Sequence, residues 1–247
     1  MENRREFPAE MEKHTLSVVM PAYNEGKTIE QVVRRVAEAL ENSGIDYQMI
    51  IVDDGSKDDT LEIARTAIEA FVKSDGKVVP MPKNSGKGAA IRMGLQYVTG
   101  DYVVIQDADL EYDPEDIVLM FKYLLQENLD VLYGSRFMKK ENKHSYQRFY
   151  WGGRLVTLVT NLLFFQRLTD EPTCYKMLKT DLINSLDLKC EGFEFCPEVT
   201  AKVAKRGYKI KEIPIRYYPR SIEEGKKIKW MDGVEAIWTL LRYRFKN

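Results

Sequence analysis

The segment Tyr102-Val103-Val104-Ile105-Gln106-Asp107-Ala108-Asp109-Leu110-Glu111 joins a short apolar run to three closely spaced acids. The apolar or aromatic run from Tyr102 to Ile105 is typical of a strand buried on both faces of a parallel sheet. Asp107 and Asp109 follow that strand, and Glu111 comes two residues later. Open α/β sheets bind ligands at the carboxyl ends of their strands, so we expect a ligand site at these acids.

These three acids predict a divalent cation. Carboxylates this close together repel each other, and the repulsion raises their pKa values unless a cation lies between them. Mg²⁺ and Mn²⁺ suit one or two carboxylates together with substrate phosphates. An isolated Asp-x-Asp pair is more often a solvated turn. The remainder of the chain favours the metal site.

Apolar runs of strand length alternate with helical periodicity as far as about residue 135. The predicted strands are 16–20 (ended by Pro21), 49–52, 77–80, 102–105 and 130–133. Helices are predicted over 29–40 with Thr28 as the N-cap, from Asp58 or Asp59 onward, over 89–97 and over 114–126. This alternation predicts an α/β fold, with a mostly parallel sheet covered by helices on both faces.

The pattern changes beyond Arg136. Residues 139–147 form a polar segment that we expect to be a loop, and 149–165 is rich in apolar and aromatic residues. That second stretch fits a buried helix or an interfacial one, and we favour the buried helix. A helix over 194–205, a strand over 208–218 and a helix over 230–245 follow. The last is predicted to be amphipathic, with an apolar face of Val234, Ile237, Trp238, Leu241 and Phe245.

Composition excludes several classes of function. A net charge of −1 argues against a nucleic-acid binder, although 202–247 holds thirteen Lys and Arg against five Asp and Glu. Three cysteines without a C-x-x-C pair indicate a reduced cytosolic protein rather than a disulfide or zinc fold. Two histidines and no G-x-S-x-G argue against a triad hydrolase. The P-loop and G-x-G-x-x-G motifs are missing too, which argues against a P-loop ATPase or a dinucleotide dehydrogenase.

The sequence predicts a chain that is soluble or peripheral to a membrane. Residues 1–15 are charged and lack the apolar region of a signal peptide, and no apolar run is long enough to span a bilayer. Lys226, Lys227 and Lys229 lie close to Trp230 and Trp238. A solvated face and an interfacial patch explain these lysines equally well.

Polar clusters follow four of the predicted strands, at 21–25, 53–56, 107–111 and 134–136. Asp53 and Asp54 are suited to accept hydrogen bonds from a base or ribose, and Tyr23 to flank the base. The Gly86-Lys87-Gly88 loop lets the backbone pass close to a ligand, with Lys87 near its phosphates. Together these clusters indicate a nucleotide-diphosphate site.

The same motifs resemble family 2 glycosyltransferases. Val18 to Glu25, Val52 to Thr60, Asn84 to Gly88 and Asp107-Ala108-Asp109 occur in the order and spacing of that family, and the resemblance covers about residues 15 to 220. Four later segments resemble its dolichyl-phosphate mannose synthase and polyprenyl-phosphate glycosyltransferase branch. They are Gly134-Ser135-Arg136, Leu168-Thr169-Asp170, Gly192-Phe193-Glu194-Phe195 and Tyr217-Tyr218-Pro219-Arg220.

The resemblance implies a GT-A fold with C-terminal acceptor-side helices, and inverting transfer of a hexose from GDP-mannose or a UDP-hexose. It implies Mg²⁺ or Mn²⁺ as cofactor, a polyprenyl or dolichyl phosphate as partner, and a peripheral position on the cytoplasmic face of a membrane. It assigns the nucleotide to Pro21, Ala22, Tyr23, Glu25, Val52, Asp54, Lys87, Asp107 and Ala108. It assigns the metal to Asp109 and Glu111. It assigns the acceptor phosphate or diphosphate to Arg136, Arg148, Arg220 and Lys227. The catalytic set is Asp109, Arg136 and Arg148.

Elementary chemistry favours a phosphate acceptor. A sugar hydroxyl needs a general base, whereas a phosphate monoester with a second pKa of ~6 is largely dianionic at neutral pH. Asp170 and Glu194 are the candidates for a base or a sugar contact if the acceptor is a hydroxyl. Two alternatives therefore stay open: a family 2 transferase acting on a saccharide hydroxyl, and a non-catalytic nucleotide-sugar binding module.

The expected domain organisation has three parts. Residues 1–14 form an N-terminal extension, and 15–220 form the GT-A domain. That domain divides into a nucleotide-sugar half (about 15–135) and an acceptor half (about 136–220). Residues 221–247 form a basic amphipathic C-terminal segment.

Overall fold

A computed structural model of the protein describes residues 14–143, 146–220 and 230–246. Its strands are β1 (Leu16–Ala22), β2 (Tyr47–Asp53), β3 (Asp75–Pro80), β4 (Tyr102–Ile105), β5 (Val131–Ser135), β6 (Lys176–Lys179) and β7 (Lys211–Pro214). Its helices are α1 (Ile29–Asn42), α2 (Thr60–Phe71), α3 (Lys87–Leu95), α4 (Glu115–Gln126), α5 (Gln147–Phe164), α6 (Thr180–Ser185), α7 (Phe195–Lys205) and α8 (Trp230–Phe245).

The strands form one seven-stranded sheet in the order β3-β2-β1-β4-β6-β5-β7. β1 pairs in parallel with both β2 and β4, β2 with β3, and β5 with β7. β6 runs antiparallel to its neighbours β4 and β5. All residues of β1, β2 and β4 are buried, as expected of strands covered on both faces. The predicted α/β fold with a mostly parallel sheet is confirmed.

The order of the strands reverses at β1, since the chain moves outward from β1 to β3 and then returns to β4. Right-handed crossovers in opposite directions place α1 and α2 on one face of the sheet and α3 on the other. Accordingly, α1 contacts α2 and α4, whereas α3 packs against β1 and β2. Ligands of doubly wound sheets bind at such a reversal, here between the carboxyl ends of β1 and β4.

Several predicted boundaries were wrong. Pro21 does not end β1, which continues to Ala22 through a pairing of Pro21 with Val52. β1 pairs with β4 only as far as Val19. The backbone N–H that Pro21 lacks would therefore have no partner on the β4 side, so proline is tolerated at this position. β3 starts earlier than predicted, at Asp75 rather than residue 77, and α3 runs over Lys87–Leu95 rather than 89–97.

Two short elements were not predicted, and one predicted strand is shorter than expected. β6 has four residues and α6 has six, too few to show a clear period in the sequence. The strand predicted over 208–218 is reduced to Lys211–Pro214, followed by an isolated bridge between Tyr217 and Tyr112. Local pattern does not reveal β6 because its partners, β4 and β5, are supplied by the tertiary fold.

Of the predicted helix caps, Thr28 and Asp59 make no cap hydrogen bond, whereas Asp58 accepts a backbone N–H at the start of its helix. Thr28 precedes α1 without a side-chain cap bond. Its hydroxyl instead bonds the Glu25 carboxylate at 3.0 Å and the Ala108 carbonyl at 2.9 Å. Asp59 precedes α2 with no side-chain cap bond, while the Asp58 carboxylate accepts the backbone N–H of Thr60 at 3.1 Å. Thr28 thus ties the loop after β1 to the loop after β4.

Helices α5, α7 and α8 pack together around a second, smaller hydrophobic cluster. Its buried residues are Val156, Phe164, Ala201, Ala236, Leu240 and Tyr243. The helix predicted to be buried over 149–165 is therefore buried on one side only. The apolar face predicted for α8 is wrong as a packing face, because Val234, Trp238 and Phe245 point outward. Within the described residues, no helix has both the length and the hydropathy needed to cross a bilayer.

Candidate active site

The loops after β1, β2 and β4 bring the predicted nucleotide-binding residues to one edge of the sheet. Asp54, after β2, accepts the backbone N–H groups of Ser85 at 2.7 Å and of Gly86 at 2.8 Å. Burial raises the pKa of the Asp54 carboxyl above its ordinary value, even though these two donors oppose the shift. Asp54 therefore holds the 83–88 loop against β2.

The glycines of this loop are required by its neighbours. Gly86 has a φ of +102°, and a Cβ there would collide with the Glu191 carbonyl oxygen. A Cβ on Gly88 would lie 2.6 Å from the Cys190 carbonyl oxygen. The Ala89 N–H donates to the Glu191 carbonyl at 3.0 Å. The loop is thus clamped between β2 and the segment that precedes α7, which fixes the position of Lys87.

Lys87 forms an ion pair with the first acid of the Asp107-Ala108-Asp109 motif. Its Nζ lies 2.5 Å from Asp107 Oδ1 and 3.7 Å from Cys174 Sγ. Burial lowers the pKa of the Lys87 ammonium, but the Asp107 carboxylate outweighs this and holds that pKa well above its ordinary value. Burial likewise opposes ionisation of Asp107, and the ammonium overcomes it, lowering the Asp107 pKa. Both groups are charged.

Asp109, Glu25 and Glu111 surround the side chain and backbone of Arg220. Arg220 Nη2 donates to Asp109 Oδ2 at 2.7 Å, and Nη1 lies 3.1 Å from Glu25 Oε2. The Arg220 backbone N–H donates to Glu111 Oε1 at 2.7 Å. Burial, together with the charges of Asp107 and Glu111, raises the pKa of Asp109 to about 7, against the opposing effect of Arg220. Arg220 therefore offsets only part of the effect that burial and the neighbouring acids have on the Asp109 pKa.

Tyr217 and Tyr218 attach the segment that carries Arg220 to the loop after β4. The Tyr217 hydroxyl donates to Glu111 Oε2 at 3.0 Å, and the Tyr218 N–H donates to the Glu111 carbonyl at 2.8 Å. The Tyr217 ring also stacks edge-on against Tyr112, with centroids 5.7 Å apart. The sequence identified Tyr217 only as part of a motif and did not predict this role.

The acids near Arg220 fit a metal that also binds a substrate. Among residues 14–143, 146–220 and 230–246, no group of three or more His, Cys, Asp or Glu side chains is arranged to hold a metal. The oxygens of Asp109 and Glu111 are hard ligands, and Mg²⁺ ordinarily combines one or two carboxylates with phosphate oxygens and water. The guanidinium of Arg220 already occupies a cationic position beside Asp109. The donor set therefore fits Mg²⁺ or Mn²⁺ completed by a diphosphate.

Arg136, at the end of β5, is held by a fully buried carboxylate. Its Nε and Nη2 each donate to an oxygen of Asp170 at 2.7 Å, and its backbone N–H donates to the same carboxylate at 2.9 Å. Burial lowers the pKa of Arg136, but Asp170 outweighs it and holds that pKa well above its ordinary value. The Arg136 guanidinium lies 5.1 Å from the Tyr217 ring. Because both Asp170 oxygens are engaged, this geometry disfavours Asp170 as a general base.

The other predicted site residues are placed less centrally. Arg148 is exposed in the first turn of α5, with its guanidinium 4.9 Å from the Phe149 ring. Glu194 accepts the N–H groups of Glu191 and Gly192, each at 3.1 Å, and so shapes the turn before α7. Lys227 lies outside the described residues.

A buried polar network behind Arg136 was not predicted from the sequence. Lys176 Nζ bonds the Glu171 carbonyl at 2.6 Å and lies 3.7 Å from the Tyr133 ring centroid. The Glu171 carboxylate lies 3.8 Å from the same ammonium and accepts the Thr200 hydroxyl at 2.9 Å. Burial raises the pKa of Glu171. Lys176 begins β6, a four-residue strand that the sequence did not predict, so no local signal identified this network.

The fold is similar to that of a solved enzyme structure. The crystal structure of glucosyl-3-phosphoglycerate synthase from Mycobacterium tuberculosis in complex with Mn²⁺, UDP and phosphoglyceric acid superposes with a TM-score of 0.71 at 22% identity. The superposition covers 99% of this chain and 85% of that one. The shared fold is GT-A, as the sequence motifs implied.

Curated relatives match most of the chain. The low-salt glycan biosynthesis hexosyltransferase Agl6 of Haloferax volcanii is 30% identical over 94% of this chain and 54% of its own length. Dolichol-phosphate mannosyltransferase of Pyrococcus furiosus is 28% identical over 85% of this chain and 58% of its own. Dodecaprenyl-phosphate galacturonate synthase of Rhizobium johnstonii is 30% identical over 83% of this chain and 59% of its own. This chain thus spans a little over half the length of these relatives.

The family assignment rests on the part of the chain that builds the site. Residues 17–186 match the family described as Glycosyl transferase family 2. This range contains Asp54, Lys87, the 107–109 motif and the Arg136–Asp170 pair, whose contacts are described above. The chain belongs to glycosyl transferase family 2.

Proposed function

We propose that the protein is an inverting glycosyltransferase that moves a hexose from a nucleotide diphosphate sugar to a polyprenyl phosphate. The observation that carries the proposal is the position of Tyr217. Its hydroxyl bonds Glu111 on the metal side, while the Arg136 guanidinium lies 5.1 Å from its ring. In this proposal, the leaving diphosphate and the incoming anion bind on either side of this tyrosine.

The donor half of the site would hold GDP-mannose or a UDP-hexose. Asp54 fixes the 83–88 loop, and the loop places Lys87 beside Asp107. Asp109 and Glu111 would hold the metal, and a bound Mg²⁺ or Mn²⁺ would stabilise the negative charge of the departing nucleoside diphosphate. Pro21, Ala22, Tyr23, Glu25, Val52 and Ala108 line the ends of the same strands and remain our proposed nucleotide contacts.

The acceptor half is suited to a phosphate. Arg136 is presented by Asp170 through two hydrogen bonds, so the guanidinium is oriented before any ligand arrives. A phosphate monoester needs no base, and a guanidinium matches its oxygens. In the proposed reaction, a phosphate oxygen bonds the anomeric carbon from the opposite side as the bond to the diphosphate breaks. The configuration at that carbon inverts.

Two relatives also support this acceptor class. Their names specify dolichol phosphate and dodecaprenyl phosphate, and they match 85% and 83% of this chain. We further propose that the protein acts peripherally on the cytoplasmic face of a membrane, where such lipids present their phosphates. Arg148 and Lys227 remain proposed contacts of the lipid phosphate, and Arg220 of the diphosphate.

A transfer assay tests the proposal directly. Purified full-length chain with Mg²⁺ or Mn²⁺ is incubated with a panel of GDP- and UDP-hexoses and a short-chain prenyl phosphate, the matching prenol or an oligosaccharide. We expect one donor to give a glycosyl phosphate lipid, with no product from the prenol or the saccharide. Arg136→Gln should lose at least 100-fold in kcat/KM, whereas Arg65→Gln, a surface arginine paired with Glu62, should match the wild type. Product from the oligosaccharide alone, or nucleotide-sugar binding without turnover across the panel, would refute the proposal.

A further inference from the structure

Glu198, in the first turn of α7, is a fully buried carboxylate that the proposed reaction does not use. A buried acid destabilises a fold unless its oxygens are paired. Within the described residues, four donors bond this one: the backbone N–H groups of Lys189 and Cys190, the Lys202 ammonium and the Tyr243 hydroxyl. Burial opposes ionisation of Glu198, but these donors outweigh it and lower the Glu198 pKa. Glu198 is therefore a charged acceptor shared by three parts of the chain.

The two backbone donors lie in the segment that precedes α7. The Lys189 N–H donates to Glu198 Oε1 at 2.9 Å, and the Cys190 N–H donates to Glu198 Oε2 at 2.8 Å. Hydrogen bonds to an ionised carboxylate are about twice as strong as those between neutral groups. Two successive N–H groups held in this way fix the path of the backbone. Glu198 therefore determines where the next residue, Glu191, presents its carbonyl.

The Glu191 carbonyl is the group that clamps the glycine loop at the start of α3. It accepts the Ala89 N–H at 3.0 Å. Two residues earlier, the Lys189 carbonyl accepts from Arg92 Nη1 at 3.0 Å. α3 is thus bound to the segment before α7 at two points, and Lys87 is the first residue of α3. A shift of that segment would therefore move Lys87.

On its other side, Glu198 is bonded by α8. The Tyr243 hydroxyl donates to Glu198 Oε1 at 2.6 Å, and the centroid of its ring lies 4.7 Å from the Lys202 ammonium. Burial and the neighbouring carboxylate raise the pKa of Tyr243, so the hydroxyl keeps its proton and donates it. The Cys190 side chain packs against the hydrophobic cluster that contains Tyr243. α8 therefore contacts both Glu198 and the segment that Glu198 holds.

We propose that Glu198 is a positioning residue through which the packing of α8 on α7 sets the position of Lys87 for the donor phosphates. The link runs from the Tyr243 hydroxyl through the Glu198 carboxylate and the backbone of 189–191 to α3. This role rests on the proposed function, which assigns Lys87 to the nucleotide of the donor. A misplacement of about 1 Å in a catalytic site can cost about 100-fold in rate, so a small shift of the segment has a measurable effect.

A purely structural role for Glu198 predicts a different result. If the carboxylate only stabilised the fold, loss of the Tyr243 hydroxyl would lower the free energy of unfolding and leave the nucleotide affinity of the folded protein unchanged. A positioning role predicts a lower nucleotide affinity at a temperature where the variant is fully folded. The two roles can be separated because Ala236 and Leu240 also bury α8, so Tyr243→Phe should keep the helix in place.

Isothermal titration calorimetry of the full chain with UDP or GDP and Mn²⁺ tests the link. Tyr243→Phe removes the hydroxyl and keeps the ring, and it should weaken binding of the preferred nucleotide about tenfold. Glu198→Gln should weaken binding at least as much, because an amide nitrogen cannot accept from the backbone donors. The double variant Tyr243→Phe/Glu198→Gln should bind no more weakly than Glu198→Gln, as expected of two groups that act in series.

Tyr47→Phe is the matched control. Its hydroxyl also bonds a carboxylate, that of Glu41 at 3.1 Å, but Tyr47 lies at the amino end of β2. This variant should bind nucleotide as the wild type does. Circular dichroism should show that each variant is folded at the temperature of the titration.

Hydrogen exchange measures the loop itself. Peptides that cover 83–92 should exchange faster in Tyr243→Phe than in the wild type and Tyr47→Phe, because the Ala89 N–H loses its fixed partner. Unchanged nucleotide affinity in a folded Tyr243→Phe variant would overturn the proposal, even if the loop exchanged faster. A wild type that binds neither nucleotide would refute the proposed function, and this role of Glu198 with it.

Discussion

Arg220 donates to Asp109 through a 2.7 Å hydrogen bond between its Nη2 and Oδ2 of the carboxylate. Asp109 is the acid that we propose as the principal metal ligand. The two residues are 111 positions apart in the chain, and the strap of Tyr217 and Tyr218 holds them together by bonding Glu111. We therefore expect a divalent cation and this guanidinium to compete for one carboxylate, with Arg220 releasing Asp109 Oδ2 when a metal binds.

This competition predicts that Arg220→Gln binds Mn²⁺ more tightly in the absence of nucleotide. Losing a charge-assisted hydrogen bond worth about 1.5–3 kcal/mol corresponds to a gain in metal affinity of about 10- to 100-fold. Electron paramagnetic resonance of free Mn²⁺ measures that affinity. Arg216→Gln is the matched control, because Arg216 lies in the same segment and bonds Asp116 instead, at 2.9 Å. Equal or weaker Mn²⁺ binding by Arg220→Gln would show that the guanidinium does not compete.

The Arg136–Asp170 pair predicts a strong energetic coupling. Asp170→Asn leaves the guanidinium without its carboxylate, and breaking a buried pair costs about 3 kcal/mol of stability. We expect Asp170→Asn to raise the KM for the phosphate acceptor while the Kd for nucleotide stays unchanged. In a double-mutant cycle, Asp170→Asn should add little to the loss in kcat/KM caused by Arg136→Gln. Fully additive losses would mean that Asp170 acts independently of Arg136.

The clamped position of Gly86 predicts that Gly86→Ala strongly lowers both the stability of the protein and its affinity for nucleotide. The new methyl group would collide with the Glu191 carbonyl oxygen, and the alanine would have to adopt a φ of +102°. Such backbone strain costs about 1–3 kcal/mol, and the loop should shift Lys87 away from Asp107. Thermal unfolding and nucleotide affinity should both fall. Gly207→Ala is the matched control, because Gly207 has a φ of +87° with nothing within 4 Å of an added Cβ. A nucleotide affinity that falls equally in both variants would contradict the clamp.

The buried network behind Arg136 predicts a pH-dependent loss of stability in Lys176→Met. Removing the ammonium takes away the group that opposes the effect of burial on Glu171, so the pKa of this carboxyl should rise further above its unfolded value of about 4.3. The folded state then binds more protons than the unfolded state. Its free energy of unfolding should decrease as pH rises from that value through the raised pKa. Chemical denaturation at pH 5 and pH 8 should show the larger loss at pH 8, and Lys179→Met, an exposed lysine, should show no such difference.

Much of the fold and the donor side of the site follows from local pattern. Apolar runs buried on both faces at β1, β2 and β4, each ending in polar residues, indicate a parallel sheet with ligand groups along one edge. Asp107 and Asp109 could be identified because acids directly after a buried strand have no packing role. The motif order then identified the family. None of this depended on knowing which elements pack together.

The acceptor side required tertiary contacts. Arg136 and Asp170 are 34 residues apart, and nothing in either segment shows that both oxygens of the acid bind the arginine. β6 brings Asp170 to the site by running antiparallel between β4 and β5. Strand direction is set by the neighbours that supply hydrogen bonds, so a four-residue strand carries little information about it.

The helices α5 and α8 are a second case in which the sequence alone could not predict the packing. α5 was predicted to be a buried helix and is buried on one side only. The periodicity of α8 correctly predicts an amphipathic helix, because side chains three or four positions apart share a face. It does not indicate which face is buried, since burial depends on what packs against the helix. Ala236 and Leu240 face the α5–α7 side, while Trp238 faces outward. Spacing alone therefore establishes the helices and the acids at the strand ends. Only the packing of distant segments reveals the Arg220–Asp109 contact and the Tyr243–Glu198 hydrogen bond.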